Sequence, residues 1–225
     1  MQISSAFVKD PVKGLCQAYT IQNMGQAPLS GFAVQFNKNT FGLVPESPGH
    51  LGQVLPPQIM PGQSATGNVP LVATGQPATE GVSPGVIQIA LKNNVKVYYF
   101  QDALDVLLFL SSDPSSRLDK GVFLEQWKSL TATETLNASA LPPQAENVEA
   151  VCPKMEAANV FFIARRKLPD GADMVYFSVK TLNNVVMLAE LGFRPGSGTC
   201  SIVVKSAQGL YMPLLAASIE KLLRS

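Results

Sequence analysis

Cysteine is scarce and poorly placed for cross-linking. The chain holds three, Cys16, Cys152 and Cys200. An odd number at wide spacing argues against a disulfide framework and for a reducing compartment. No C-x-x-C pair occurs, so zinc lacks its usual ligand spacing. Histidine is rarer still. His50 stands alone in a Pro/Gly loop, so any Ser-His-Asp or Cys-His relay would have to use it, and no G-x-S-x-G turn accompanies it. The glycine-rich run RPGSGTC (194–200) lacks the lysine and spacing of a phosphate loop and reads as a turn between strands. An excess of one charge is missing too: 17 Lys+Arg stand against 16 Asp+Glu. Nothing is left over to neutralise phosphates, which makes nucleic acid or an anionic membrane surface a poor main partner. The longest apolar run, around Val106–Leu110, is too short to span a bilayer. The opening MQISSAFVKD has no charged-then-apolar signal layout, and its abruptness suggests a piece of a longer protein. The expectation is no catalytic residue, no metal, no cofactor and no membrane insertion.

What is present is strand pattern, then a mixture. In residues 1–110, LCQAYTIQN (15–23), GFAVQF (31–36), VIQIALK (86–92), VKVYYF (95–100) and ALDVLLFL (103–110) read as short strands. Gly, Pro and Asn punctuate them, as in PESPGHLG (45–52) and VLPPQIMPGQS (54–64). Such spacing predicts a β-sandwich. SSDPSSRLDK (111–120) breaks the pattern and sets expected domains of 1–114 and 115–225. In the second, DKGVFLEQWKSL puts Phe123, Trp127 and Leu130 at helical spacing. Residues 131–147 read as polar loop. A short helix is expected near 148–158 with Pro153 in or near its first turn, and Glu146, Glu149 and Glu156 along a solvated flank. Strands follow at 159–166, 173–181, 185–193 and 199–206, then an amphipathic helix at 210–224. Strands grouped between helices predict an α+β layer, an antiparallel sheet with helices on one face.

Two hairpins fix which side chains share a face. Asn93-Asn94 suits a two-residue turn, which sets Ala90 opposite Val97 and Gln88 opposite Tyr99. Ile87, Ile89 and Leu91 then face the core with Tyr98 and Phe100, while Gln88, Ala90, Lys92, Val95, Val97 and Tyr99 face water. In the second hairpin a three-residue loop, 182–184, pairs Tyr176 with Glu190. It gathers Val175, Phe177, Val179, Met187, Ala189 and Leu191 on one apolar face. A two-residue loop would bury Glu190 among them, and an unpaired buried carboxylate costs several kcal/mol, roughly. Tyr176 and Glu190 are therefore expected side by side on the opposite face, with Trp127 placed to roof them.

FAVQFNKNTFGLVP (32–45), KNNVKVYYF (92–100), VFLEQWKSL (122–130) and VYFSVK…VMLAEL (175–191) together resemble the appendage, or ear, domain of β-adaptin, the large β subunit of clathrin adaptor complexes. The resemblance runs from about Ala6 to the C-terminal helix. It implies an N-terminal immunoglobulin-like β-sandwich and a C-terminal platform. It implies a non-enzymatic hub that binds short linear motifs of accessory and cargo-adaptor proteins, contacts clathrin, and joins other adaptor subunits through a trunk lying outside this chain. The implied location is cytoplasmic, peripheral on coated pits and vesicles of the plasma membrane or trans-Golgi network. The family's platform site maps onto Trp127, Lys128, Arg166, Tyr176 and Glu190, with Glu134 the nearest candidate for a further glutamate. The sandwich site maps onto Lys38, Gln88, Ala90, Lys92 and Tyr99. The competing expectations are a structural docking or oligomerisation module of a coat, and an enzyme whose site the sequence hides.

Overall fold

The computed structural model describes residues 1–47 and 49–225. It divides into two compact units, Met1–Leu104 and Asp105–Ser225. The first begins with β1 (Gln2–Asp10) and β2 (Gly14–Gln22), then β3 (Leu29–Ser30), β4 (Ala33–Phe36), β5 (Val44–Pro45), the short helix α1 (His50–Val54), β6 (Gln58–Ile59), β7 (Ser64–Val72), β8 (Val86–Lys92) and β9 (Val97–Ala103). Four strands form a sheet in the order β1-β2-β7-β5, three form a second in the order β4-β8-β9, and β3 pairs with β6. Alternation drives this half. Ile87, Ile89 and Leu91 are buried with Val34 and Phe36 from the same sheet and with Ile21 and Val69 from the other. Phe7 of β1 meets Phe36 of β4 edge-on at 6.4 Å. β1 and β7 escaped the sequence reading because their apolar alternation is diluted by Ser, Gly and Pro. His50, expected in a loop, opens α1. Pro48 of the PESPGHLG stretch lies outside the described residues.

The β8–β9 hairpin differs from expectation by two positions. Lys92 pairs with Val97 and Ala90 with Tyr99. The loop has four residues, closed by the Asn93 N–H donating to the Lys96 carbonyl. The Asn93 side-chain oxygen accepts from the amides of Val95 and Lys96, at 2.9 and 3.0 Å. This Asx turn holds the chain without the positive φ that a two-residue turn demands at both central positions. Because the slip is even, every side chain keeps its face.

The second unit contains α2 (Lys120–Ser129), β10 (Thr133–Ala138), α3 (Val148–Ala157), β11 (Phe161–Lys167), β12 (Asp173–Lys180), β13 (Val186–Phe193), β14 (Cys200–Ser206) and α4 (Met212–Arg224). Its antiparallel sheet runs β10-β14-β13-β12-β11. Four expectations are corrected here. The run 103–110 is no strand beyond Ala103. Asp105 accepts from the Leu107 amide at 3.0 Å and caps a 3-10 turn over Val106–Phe109. Asp105 also accepts from Ser218 of α4 at 2.8 Å, and Phe109 lies 5.9 Å from Tyr211. The segment thus belongs with the second unit, and the division falls after Leu104 rather than after residue 114. The polar stretch 131–147 contains β10, an edge strand pairing only with β14, whose inner face opens with Glu134 before Leu136 and Ala138 and whose outer face is Thr133, Thr135 and Asn137. Pro153 lies in the middle of α3, not its first turn.

The glutamates, finally, are engaged. Glu146 accepts from the amides of Gly196, at 2.7 Å, and Gly198 in the 194–199 turn. Glu149 pairs with Arg165 at 2.6 Å. Glu156 pairs with Arg117 at 2.6 Å and accepts from the Phe162 amide at 2.7 Å.

The β12–β13 hairpin has the expected register, Tyr176 opposite Glu190. Its loop closes with the Thr181 N–H donating to Val185 O, and Asn184 takes φ 66°. Val175, Phe177, Val179, Met187, Ala189 and Leu191 are all buried. On that face lies α3, since Arg165, opposite Val175, reaches Glu149, and α4 packs there on β14 and β10. The other face is partly covered by α2. Helices thus lie on both sides of the sheet rather than on one.

Candidate functional site

On the α2 side of the platform sheet, alternation brings Ala164 and Arg166 of β11, Tyr176 of β12, Glu190 of β13 and Val203 of β14 to one face. α2 supplies the roof. It begins at Asp119, whose carboxylate accepts from the Gly121 amide at 2.7 Å. Phe123 is sealed, 1 % exposed, between helix and sheet. One turn later Trp127 stacks on Phe123, with centroids 5.7 Å apart and planes at 12°. Tyr176 meets both rings edge-on, at 5.8 Å from Phe123 and 6.1 Å from Trp127. Trp127 and Tyr176 remain half-buried, so the cluster is partly core and partly surface.

The electrostatics are asymmetric. Burial, the hydrogen bond to Glu190 and the charge of that carboxylate push the Tyr176 hydroxyl up to about 12, opposed by the Arg166 guanidinium. At neutral pH the Tyr176 hydroxyl therefore keeps its proton. Lys128 on α2 and Arg166 at the sheet edge are exposed. The patch presents two rings, one carboxylate and two cations. Two residues further along, on the same face, lie Met174, Gly192 and Ser201. A Cβ on Gly192 would come within 3.2 Å of the Met174 sulfur, so glycine gives that side chain its room.

Five of the six expected platform residues share this site, and Glu134 does not. It pairs with Val204 of β14, whose row continues through Ala189 and Phe177 on the α4 side of the sheet. Its neighbours Thr133 and Thr135 take the Tyr176 side instead. The period of two decides this, and a one-residue error in sequence spacing is enough to choose the wrong face. Lys205 was missed. It lies two residues beyond Val203 on the same face, donates to the carbonyls of Trp127 at 3.0 Å and Leu130 at 3.2 Å, and sits 4.8 Å from the Trp127 ring centroid. Extending the hairpin register by one strand would have found it.

In the first unit, Gln35 of β4, Ala90 of β8 and Tyr99 of β9 form one row on the solvated face, with Lys92 and Val97 in the next. Tyr99 is 77 % exposed. Gln88 accepts from the Asn37 side chain at 3.1 Å. Asn37, Gln88, Tyr99 and Gln101 line a recess of about 290 Å3. Lys38 follows Asn37 and lines an adjoining recess of about 440 Å3 with Phe36, Leu43, Val44 and residues of the 75–80 segment. Gln88, Ala90, Lys92 and Tyr99 thus share a shelf, and Lys38 stands at its border.

His50, the one candidate for acid–base work, opens a short helix, and no group of three or more His, Cys, Asp or Glu side chains suited to a metal ion occurs among the described residues. The cysteines are free, two of them buried.

Comparison with known proteins identifies relatives over most of the chain. Residues 113–223 match the family described as "Beta2-adaptin appendage, C-terminal sub-domain". The chain is 31% identical over 202 residues to AP-1 complex subunit beta-1 of Homo sapiens, covering 89% of this chain and 20% of that protein. It is 26% identical over 230 residues to AP-1 complex subunit beta of Dictyostelium discoideum, covering 100% of this chain and 23% of that one. The chain therefore spans about a fifth of the length of the curated relatives it matches.

Proposed function

The chain belongs to the β-adaptin appendage family, and from that membership we propose that it is the protein-interaction appendage of a clathrin adaptor β subunit. It captures short linear motifs in the unstructured tails of accessory and cargo-adaptor proteins. It contacts clathrin, and it reaches the other adaptor subunits through the longer polypeptide its relatives possess. It acts at the cytoplasmic surface of coated pits and vesicles, held there by protein contacts, and catalyses no reaction. Among the described residues no helix is long and apolar enough to cross a membrane.

The observation carrying this reading is the half-open cluster of Trp127 and Tyr176 over Glu190, with Lys128 and Arg166 beside it. Such a surface suits an amphipathic helix in a groove. Phe or Leu anchors bury against the two rings, a ligand arginine pairs with Glu190, and ligand carboxylates meet Lys128 and Arg166. Each anchor contributes about 1.5–3 kcal/mol, and ordering the tail offsets about 2–5 kcal/mol. A single motif then binds at about micromolar strength, and many motifs on one coat supply avidity. The shelf around Tyr99 offers a second, flatter site for an extended segment.

The direct test is titration of the chain with a 20-residue helical peptide carrying two Phe anchors and an Arg, against Trp127→Ala, Tyr176→Ala and Tyr99→Ala, beside a pull-down from cytosol with the same set. Binding lost in the first two and retained in the third supports the reading. A wild-type chain that binds no peptide yet self-associates in the ultracentrifuge would instead favour a structural docking module.

A further inference from the structure

We infer that Lys205 is a positioning residue of the platform site, setting the pose of Trp127 from beneath rather than meeting ligand itself. Helix α2 ends without the glycine that commonly closes helices: Leu130 is its C-cap, and Thr131 and Ala132 follow. Its last carbonyls need donors from elsewhere. Lys205, projecting from β14, supplies them to Trp127 O at 3.0 Å and Leu130 O at 3.2 Å. The same ammonium lies 4.8 Å from the centroid of the indole, within range of a cation–π attraction. It also places positive charge at the negative end of the helix. One side chain thus fixes the backbone of Trp127, the end of its helix and the ring.

The neighbouring contacts explain why this matters. Phe123 and Tyr176 set two other bearings of the indole, but both act through rings that can slide against one another. The hydrogen bonds of Lys205 are directional and tie α2 to the central sheet, where Lys205 pairs with Leu188 on one side and Thr133 on the other. With two of its three donors on carbonyls, Lys205 has little to offer an acidic ligand group. That task falls to Lys128 and Arg166, which are exposed. A lysine that reads in sequence as a spare surface charge is the fixed support of the half-buried indole.

The consequence for peptide affinity rests on the function proposed above; the consequence for the indole does not. Trp127 is the only tryptophan, so its fluorescence reports this site alone. In the full 225-residue chain, Lys205→Met should raise acrylamide quenching of Trp127 about twofold and weaken the helical Phe/Arg peptide about tenfold, a loss in the range of one desolvated cation–π contact with its hydrogen bonds. Lys205→Arg should restore most of both. Binding at the Tyr99 shelf should not change. Unchanged quenching in Lys205→Met, or an Arg variant as impaired as the Met one, overturns the proposal. Should Lys205→Met fail to fold, Lys205→Gln, which keeps a polar head, carries the same readouts. If the peptide binds neither wild type nor variant, the functional reading falls while the quenching result still decides the role of Lys205.

Discussion

The two exposed patches are built on opposite principles. The platform patch joins two elements far apart in sequence: α2 lies across the sheet, and Trp127, Phe123 and Tyr176 touch only because tertiary packing brings them together. The shelf is the outer face of a single sheet, and Tyr99 stands on it 77 % exposed. A side chain that both packs and binds cannot be changed without disturbing the support. A side chain that only projects can be removed freely. The platform should therefore show coupled losses of stability and binding, and the shelf losses of binding alone.

The largest effect is expected for Trp127→Ala. Removing a half-buried indole that stacks on one ring and meets another should cost about 2–3 kcal/mol of stability. It should also remove most platform affinity, as for a central aromatic anchor. Urea unfolding and peptide titration of the same sample check both. A variant that loses binding with no change in unfolding midpoint would break the contrast.

Asp173→Asn comes next and probes the opposite face of the platform sheet. Its hydrogen bonds and charge interaction with Arg165, at 2.8 Å for each oxygen, hold the Asp173 carboxyl below the usual carboxylate range. A carboxyl depressed in the folded state contributes stability that is present above its unfolded value of about 3.9. That stability is lost as pH falls through the lower folded value. The substitution should cost about 1–2 kcal/mol at pH 7, a charge-assisted pair discounted for the solvent access of Arg165. The gap from wild type should close below pH 4. A gap that persists at pH 2 would place the cost in packing rather than charge.

Tyr176→Phe should cost about 1 kcal/mol or less, since it removes one hydrogen bond to a carboxylate that water can reach. Its sharper signature is spectroscopic: the tyrosine ionising at about 12 should vanish from an alkaline absorbance titration. If the high-pH step is unchanged, the hydroxyl is not the group that Glu190 holds. The smallest stability change belongs to Tyr99→Ala, within about 0.5 kcal/mol, with binding at the shelf reduced. A destabilisation near that of Trp127→Ala would show that the shelf, too, carries structure.

How much of this was legible follows from the range of the signal. The pairing of Tyr176 with Glu190 was readable because a buried carboxylate excludes the competing register. The shelf survived an error of two in its hairpin because strand faces repeat every two residues. Glu134 went to the wrong face for the same reason, its assignment resting on spacing within a stretch read as loop. β10 was invisible because only Leu136 and Ala138 carry apolar alternation in it, with a glutamate on the same face and Thr and Asn on the other. The 106–109 turn was read as a strand because a short apolar run carries no period of its own, and only its cap on Asp105 and its contacts in the second unit choose the turn.

The sequence by itself determined the faces on which Tyr99, Tyr176 and Glu190 stand, because alternation and turn chemistry act between residues near one another along the chain. Only the tertiary structure decided that Phe123 is sealed against Tyr176 and that Lys205 supports Trp127. Those contacts join residues up to 78 positions apart, and they are set by how a helix settles on a twisted sheet once the shared core has closed.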